Sequence, residues 1–249
     1  MRYLLSRTSR SILTQLAQER TLCAFDFDGT LAPIVGHPDK AVMRDQTRRL
    51  LGRLAALYPC VILSGRARED LLDKLGGVSV AQAIGNHGAE TQGTTGRTRR
   101  QVRRWKAAIE LELGPVPGLW VEDKGHSLAV HYRQSPRKAA TRRRILQASQ
   151  NLKQVRVFGG KQVVNVVVDG APHKGRALVA ERERLLCTSV LYVGDDENDE
   201  DAFAIDGNIV PVRVGRSRRS LARYYLRTQT EIDQLLERMV MLREPIATP

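Results

Sequence analysis

The sequence has few aromatic residues, few cysteines and no long apolar run. Aromatic residues make up 5% of the 249 positions, and there are three cysteines. Cys23, Cys60 and Cys187 lie far apart beside apolar residues, which predicts buried reduced thiols rather than disulfides or a metal cluster. The longest apolar runs, such as 163–168, are far shorter than the roughly 20 residues that a membrane-spanning helix needs. We therefore expect a soluble protein with no membrane partner.

Acidic residues are outnumbered by basic ones, 27 to 40, which gives a net charge of +13. Such a charge can indicate nucleic-acid binding, because Lys and Arg neutralise phosphates and release counterions. The basic residues are instead spread over 97–106, 133–144 and 213–227, with few aromatics between them and no Cys/His finger spacing. We interpret these segments as solvated helix faces and expect no nucleic-acid partner. A positive field would still favour an anionic substrate.

Residues 1–20 lack the pattern of a secretory signal. They mix Arg with Leu and Ile at helical spacing and contain no continuous apolar stretch that ends in small residues. We expect a cytoplasmic protein that is a monomer or a small homo-oligomer.

Apolar periodicity in the first third of the chain predicts alternating strands and helices. The predicted strands are 21–27, 60–63 and 80–84, and the predicted helices are 3–19, 45–58 and 69–75. This order is typical of a parallel sheet with helices on both faces. The same pattern returns after 170, with helices at 174–185 and 199–205 and strands at 190–193 and 209–214.

The segment between these two stretches has a different order of predicted helices and strands. It contains two basic helices and three strands, predicted at 98–113, 136–153, 127–132, 155–158 and 162–168. Such a set indicates an antiparallel sheet with helices on one side. We predict an α/β fold, in which a Rossmann-like parallel-sheet core of residues 1–90 and 171–249 carries an inserted α/β cap at 91–170.

The strongest local motif is Asp26-Phe27-Asp28-Gly29-Thr30, directly after a predicted buried strand. Two carboxylates at the carboxyl end of a parallel strand can divide the work of phosphoryl transfer. One attacks phosphorus while the other donates and accepts a proton. Their mutual repulsion calls for a cation, and Mg²⁺ suits hard oxygen ligands. The alternative is an Asp-Gly turn with a capping Thr.

Three further motifs favour a phosphoryl-transfer site over a simple Asp-Gly turn. Ser64 and Gly65 follow the second strand, where a hydroxyl and an amide could hold a phosphoryl oxygen, although a simple helix cap has the same sequence. Lys174 begins a helix, where the dipole disfavours a cation, so its position needs a reason. The run 194–199 places more carboxylates after another strand, which is costly without a metal.

These four motifs, in this order, resemble those of the haloacid dehalogenase superfamily of phosphatases. Further stretches resemble its trehalose-6-phosphate phosphatase branch: Ala32-Pro33-Ile34, Gly85 to Glu90, Val121 to Lys124, Ser127 to Arg133 and Glu200 to Phe203. The resemblance covers roughly residues 20–240. It implies a core with a cap inserted between the second and third motifs and a sugar phosphate as substrate.

The resemblance also implies roles for individual residues. Asp26 would be the nucleophile, and Asp28 the acid and then the base. Mg²⁺ would be held by Asp26, the Asp28 carbonyl and Asp195, with Asp196 and Asp199 in support. The residues implied for the phosphoryl group are Ser64, Lys174, Gly29, Thr30 and Gly65. The residues implied for the sugar are Arg66, Asn86, His87, Glu122, Lys124, Arg133, Lys161 and Asn165.

Asn165 departs from the family pattern, since a glutamate usually stands there and faces the sugar. A site built to hydrogen-bond one hydroxyl can discriminate strongly, so a different phosphorylated disaccharide or pseudo-disaccharide is an alternative to trehalose 6-phosphate. A catalytically silent binding protein is a second alternative. The fourth motif, Asp-Asp-Glu-Asn-Asp in place of Asp-Asp-x-Thr-Asp, keeps a small polar side chain, and we expect no loss of chemistry from it.

Overall fold

The computed structural model describes residues 1–91 and 96–244. Its strands are β1 Arg2–Tyr3, β2 Thr21–Phe25, β3 Cys60–Leu63, β4 Gln82–Ile84, β5 Trp120–Asp123, β6 Ser127–His131, β7 Val155–Gly160, β8 Val163–Val168, β9 Ser189–Gly194, β10 Ile209–Val214 and β11 Tyr224–Leu226. Its α-helices are α1 Arg10–Gln18, α2 Asp45–Leu57, α3 Arg68–Leu75, α4 Gly96–Leu113, α5 Lys138–Gln150, α6 Lys174–Arg184, α7 Glu200–Phe203 and α8 Ile232–Arg243.

The larger sheet has seven parallel strands in the order β1-β11-β10-β9-β2-β3-β4. Every residue of β2, β3 and β9 is buried, as expected for strands covered on both faces. Side chains of β2 alternate between the two layers: Cys23 and Phe25 pack with α1, α2, α3 and α8, whereas Leu22 and Ala24 pack with α6 and α7. The predicted parallel sheet with helices on both faces is therefore confirmed.

A separate antiparallel sheet lies between β4 and α6 in the sequence, with the strand order β5-β6-β8-β7. Helices α4 and α5 bury Val102, Trp105, Ile109 and Ile145 against one of its faces. The name cap is used below for residues 96–168. The mixed α/β fold class is confirmed by these two sheets together. Among the described residues, no helix is both long enough and apolar enough to cross a membrane.

Short or irregular elements differ from the prediction. The predicted helix at 3–19 begins only at Arg10, because Arg2–Tyr3 pairs with Tyr224–Leu226 at the edge of the large sheet. The interpretation of 213–227 as a helix face was wrong, since this segment begins in β10 and contains all of β11. These elements were missed because two- and three-residue strands carry no readable period, and their pairing depends on distant residues.

Candidate active site

Four motif side chains meet at the carboxyl edge of the large sheet. Asp26 follows β2, Ser64 follows β3, Asp195 follows β9, and Lys174 is the first residue of α6. All four are buried, with exposed fractions between 1% and 5%. Parallel strands end at a common edge, so a residue that follows each central strand is brought to one place.

Lys174 lies between two carboxylates. Its Nζ donates to Asp26 Oδ1 and to Asp199 Oδ1, both at 2.6 Å. Burial opposes the charge of Lys174, but Asp199 and Asp26 outweigh it and raise its pKa. Burial raises the pKa of Asp26 well above its usual range, and Lys174 opposes that shift. The two ion pairs explain why a lysine stands at a helix N-terminus, where the dipole disfavours it.

The acidic cluster has the donor set of a hard divalent cation. One carboxylate oxygen from each of Asp26, Asp195 and Asp199 lies within 4.8 Å of the others. Among the described residues, buried Asp195 Oδ1 has no hydrogen-bond partner. Burial, together with Asp199 and Asp196 and against Lys161, raises the pKa of Asp195 to about 6. A buried carboxylate with an unsatisfied oxygen fits Mg²⁺, which prefers such ligands.

Asp199 is already saturated by protein donors. Its Oδ1 accepts from Lys174 and from the Tyr192 hydroxyl at 2.6 Å, and its Oδ2 accepts from the amides of Asp195 and Asp196 at 2.8 and 2.9 Å. Burial would raise the pKa of Asp199, but Lys174 and Tyr192 outweigh it and lower that pKa. Asp199 therefore suits the supporting position that the sequence resemblance implies, with Asp26 and Asp195 left to face a cation.

Two glycines let side chains approach the backbone here. Gly29 has φ of +91°, and an added Cβ would overlap the Asp195 carboxylate. A Cβ on Gly65 would lie 2.5 Å from Cε1 of His87. Ser64 Oγ accepts from the Arg66 amide at 3.2 Å, and the buried Thr30 Oγ1 has no partner among the described residues. Among the predicted phosphate-binding residues, Lys174 contacts Asp26 directly, and Gly65 lines the same cleft as Asp26. Ser64, Gly29, Thr30 and Lys174 do not line the cleft itself.

A cleft opens from this edge toward the cap. The predicted site residues that line it are Asp26, Asp28, Gly65, Arg66, His87, Glu122, Lys124, Arg133, Lys161, Asn165, Asp195 and Asp196. His87 is the most notable of them, because it is buried and neither ring nitrogen has a partner among the described residues. Burial, with Lys124 and Lys174 nearby, lowers its pKa well below the usual value. His87 is therefore a neutral ring with one donor and one acceptor to offer.

Asn86 does not lie on the cleft. Its Nδ2 donates to Glu90 Oε2 at 2.6 Å, and its Oδ1 accepts from the Ser127 hydroxyl of the cap at 2.5 Å. A weaker contact joins Nδ2 to the Lys124 carbonyl at 3.4 Å. The side chain thus joins the core to the cap, and its groups are already used.

The cap supplies charged residues to the far wall of the cleft. Lys124 Nζ donates to the Gly65 carbonyl at 2.8 Å and lies 3.6 Å from Glu122, which also contacts His131 at 2.8 Å. Burial opposes ionisation of Glu122, but Lys124 and His131 outweigh it and lower its pKa to about 2. Lys161 forms an ion pair with Asp195, and its amide donates to Asp196 at 3.2 Å.

Three stacked rings, two of which line the cleft, were not predicted from the sequence. Trp120 stacks on His131, with ring centroids 4.0 Å apart, and on His37 of the core, at 5.8 Å, both with interplanar angles of 8°. Trp120 directly precedes the Val121 to Lys124 stretch, and His131 lies within a stretch that the family resemblance already includes. Their position in or beside those stretches was the sequence signal that could have identified Trp120 and His131 as site residues. His37 carried no signal.

Comparison with known proteins gives a family for this arrangement. The trehalose-phosphatase family model matches residues 24–222, which include every motif above. The trehalose-phosphate phosphatase of Mycobacterium tuberculosis strain H37Rv is 30% identical over 241 residues, covering 88% of this chain and 61% of that protein. The chain therefore spans about three fifths of the length of such relatives.

Solved structures show the same fold. The C-terminal domain of trehalose-6-phosphate phosphatase from C. albicans superposes with a TM-score of 0.79 at 22% identity, covering 94% of this chain and 97% of that one. A haloacid dehalogenase-like hydrolase from B. subtilis superposes with a TM-score of 0.62 at 14% identity, covering 87% and 98%.

Proposed function

This chain belongs to the trehalose-phosphatase family of the haloacid dehalogenase superfamily, and we propose that it hydrolyses trehalose 6-phosphate to trehalose and phosphate. The observation that carries the proposal is the buried Asp26 carboxylate, held at 2.6 Å by Lys174 at the carboxyl edge of the sheet, with Asp28 and Asp195 beside it on one cleft. We further propose that 1–90 and 171–249 form the catalytic core, and that the inserted segment 91–170, which contains the cap, selects the substrate.

The chemistry would proceed in two steps. Asp26 attacks phosphorus, the bond from phosphorus to the sugar oxygen breaks, and Asp28 gives its proton to that oxygen. Asp28 then takes a proton from water as the water attacks the aspartyl-phosphate. This second step releases phosphate, returns Asp26 and restores the proton of Asp28.

The Asp26 and Asp195 carboxylates and the Asp28 carbonyl would hold Mg²⁺, with Asp196 and Asp199 in support. The bound ion would supply positive charge that offsets repulsion between these carboxylates and the phosphoryl group. The unsatisfied Asp195 Oδ1 supports this assignment.

For the phosphoryl group we propose Ser64, Lys174 and the amides near Gly29, Thr30 and Gly65. For the sugar we propose His87, Glu122, Lys124, Arg133, Lys161 and Asn165. Arg66 and Asn86 direct their groups to protein partners, so we propose supporting roles for them instead. We also propose that the protein works in the cytoplasm as a monomer or small homo-oligomer, without nucleic-acid or membrane partners.

A specific observation favours a second candidate substrate. Asn165 is buried, lines the cleft and lies near His87, so a ligand hydroxyl would meet a neutral amide there. A phosphorylated disaccharide or pseudo-disaccharide with a different hydroxyl pattern would suit such an amide.

The test is Mg²⁺-dependent phosphate release from trehalose 6-phosphate beside glucose 6-phosphate, sucrose 6-phosphate and an aryl phosphate, with Asp26→Asn as the inactive control. A strong preference for trehalose 6-phosphate is expected, and Asn165→Glu should then change kcat/KM for it more than for the aryl phosphate. Activity on another sugar phosphate alone would favour the second candidate. Full activity of Asp26→Asn would contradict the covalent chemistry, and no activity on any ester would favour a binding protein.

A further inference from the structure

Arg66 uses four of its five N–H donors on protein groups. Its Nε and Nη2 donate to the two carboxylate oxygens of Asp28, both at 2.7 Å. Nη2 also donates to the Pro38 carbonyl at 2.8 Å, and Nη1 to Asp70 at 2.6 Å. The Arg66 side chain is 7% exposed. A buried guanidinium that binds a carboxylate through two parallel hydrogen bonds, and is itself held by other protein groups, fixes the plane of that carboxylate.

Residues 35–38, which include the Pro38 carbonyl that Arg66 contacts, also contact the cap. The Val35 carbonyl accepts a hydrogen bond from Arg133 of the cap, and the His37 ring stacks on Trp120 of the cap. His37 immediately precedes Pro38, whose carbonyl Arg66 contacts. A continuous chain of contacts therefore runs from Trp120 through 37–38 and Arg66 to Asp28.

We propose that Arg66 and Trp120 are positioning residues that align Asp28 for proton transfer when the cap contacts the core. Arg66 aims the carboxylate directly, and Trp120 acts on it by fixing His37 and hence the Pro38 carbonyl. The inference rests on the proposed role of Asp28 as proton donor to the sugar oxygen. Proton transfer demands this alignment, because donor and acceptor must come within hydrogen-bond distance in the reacting geometry.

Substrates with different leaving groups can show whether Arg66 and Trp120 align the acid Asp28 or have another role. A sugar alkoxide is a poor leaving group and needs the proton from Asp28, whereas 4-nitrophenolate leaves without one. Misaligned Asp28 should therefore slow cleavage of the sugar phosphate and spare the aryl phosphate. A residue that binds sugar would instead raise KM and leave the saturated rate unchanged.

The experiment measures single-turnover release of the leaving group with enzyme in excess, so that the later hydrolysis of the aspartyl-phosphate does not enter. The substrates are 4-nitrophenyl phosphate and whichever sugar phosphate the wild type cleaves in the substrate panel. We expect Arg66→Gln to slow sugar release by about 10- to 100-fold and nitrophenol release by less than about 3-fold. Arg66→Lys keeps the charge without the two parallel hydrogen bonds and should show the same selective loss.

Trp120→Ala should also slow sugar release selectively, but by a smaller factor than Arg66→Gln. Trp120→Phe should keep the wild-type ratio of sugar release to nitrophenol release, because it keeps a ring that can stack on His37. Arg68→Gln is the matched control: Arg68 lies two residues from Arg66 and donates from Nε to the Ala83 carbonyl at 3.1 Å. It should leave the ratio of the two rates unchanged.

Asp28→Asn separates this inference from the function on which it rests. If Asp28→Asn slows both substrates equally, the role of Asp28 as proton donor fails. Suppose instead that Asp28→Asn slows sugar release selectively. If Arg66→Gln then slows both substrates equally, or only raises KM, the positioning role of Arg66 is overturned. A raised KM in Trp120→Ala with an unchanged ratio would make Trp120 a sugar contact and overturn the path from the cap.

Discussion

Replacing Lys174 by Met tests how the buried charges of the site are balanced. Lys174 is 1% exposed, and its ammonium lies 2.6 Å from both Asp26 and Asp199. Met fills a similar volume without the charge, so the variant leaves two buried carboxylates facing each other. Removing one partner of a buried ion pair costs about 3–5 kcal/mol, and we expect the free energy of unfolding to fall by that amount near pH 8. A total stability above about 7 kcal/mol, within the usual range of about 5–15 kcal/mol, would keep the variant folded.

The cost should depend on pH in a definite direction. Burial already raises the pKa of Asp26, and without Lys174 the Asp199 carboxyl loses the contact that contributes most to lowering its pKa. Carboxyls with a pKa above the unfolded value bind more protons in the folded state, so the stability of the variant falls as pH rises. The stability gap between variant and wild type should therefore be smaller near about pH 5.5 than near about pH 8.

Urea unfolding followed by circular dichroism at both pH values measures this gap. Lys106→Met is the matched control, since Lys106 is partly exposed and lies 3.8 Å from Glu110 on the surface of α4, and it should cost less than about 0.5 kcal/mol. Adding Asp199→Asn to Lys174→Met should restore part of the loss. A loss under about 1 kcal/mol near pH 8, or a gap that widens on acidification, would refute the reasoning.

Two further predictions concern the cation and the cleft. Asp195→Asn keeps the shape of the side chain but removes its charge, so Mg²⁺ affinity should fall by more than about tenfold, measured as a loss of the Mg²⁺-induced rise in Tm without substrate; an unchanged rise would exclude Asp195 as a ligand. Gly65→Ala places a Cβ 2.5 Å from the His87 ring and must displace it, so KM for the sugar phosphate should rise several-fold while Tm changes by a few degrees at most. An unchanged KM would mean that His87 does not contact the sugar.

The meeting of the catalytic motifs could be predicted from the sequence. Asp26, Ser64 and Asp195 each follow a short apolar run, and such runs read as strands of a parallel sheet whose carboxyl ends coincide. The change in the order of predicted helices and strands after residue 90 likewise indicated a second sheet, which the structure contains. Both signals are local periodicities, and local periodicity is what a single sequence reports well.

Partners of polar side chains could not be predicted in the same way. The family resemblance implied a sugar-binding role for Asn86, yet its amide joins Glu90 to Ser127 of the cap, a residue 41 positions away. Arg66 follows Ser64 and Gly65, for which we propose phosphate binding, yet its guanidinium holds Asp28. Which acceptor such a donor meets depends on the packing of distant elements, and no spacing rule contains that information.

The two lysines that contact the acidic cluster differ in whether they can leave their carboxylate partners. Lys174 is 1% exposed and bound by two carboxylates, so freeing it would leave buried charge unpaired. Lys161 contacts Asp195 but its side chain is 45% exposed, so it can leave that carboxylate and remain hydrated. We therefore expect an incoming phosphorylated sugar to draw Lys161 away from Asp195 while Lys174 stays in place. The net charge of the whole chain does not reveal this difference, because it follows from the burial of two single ammonium groups.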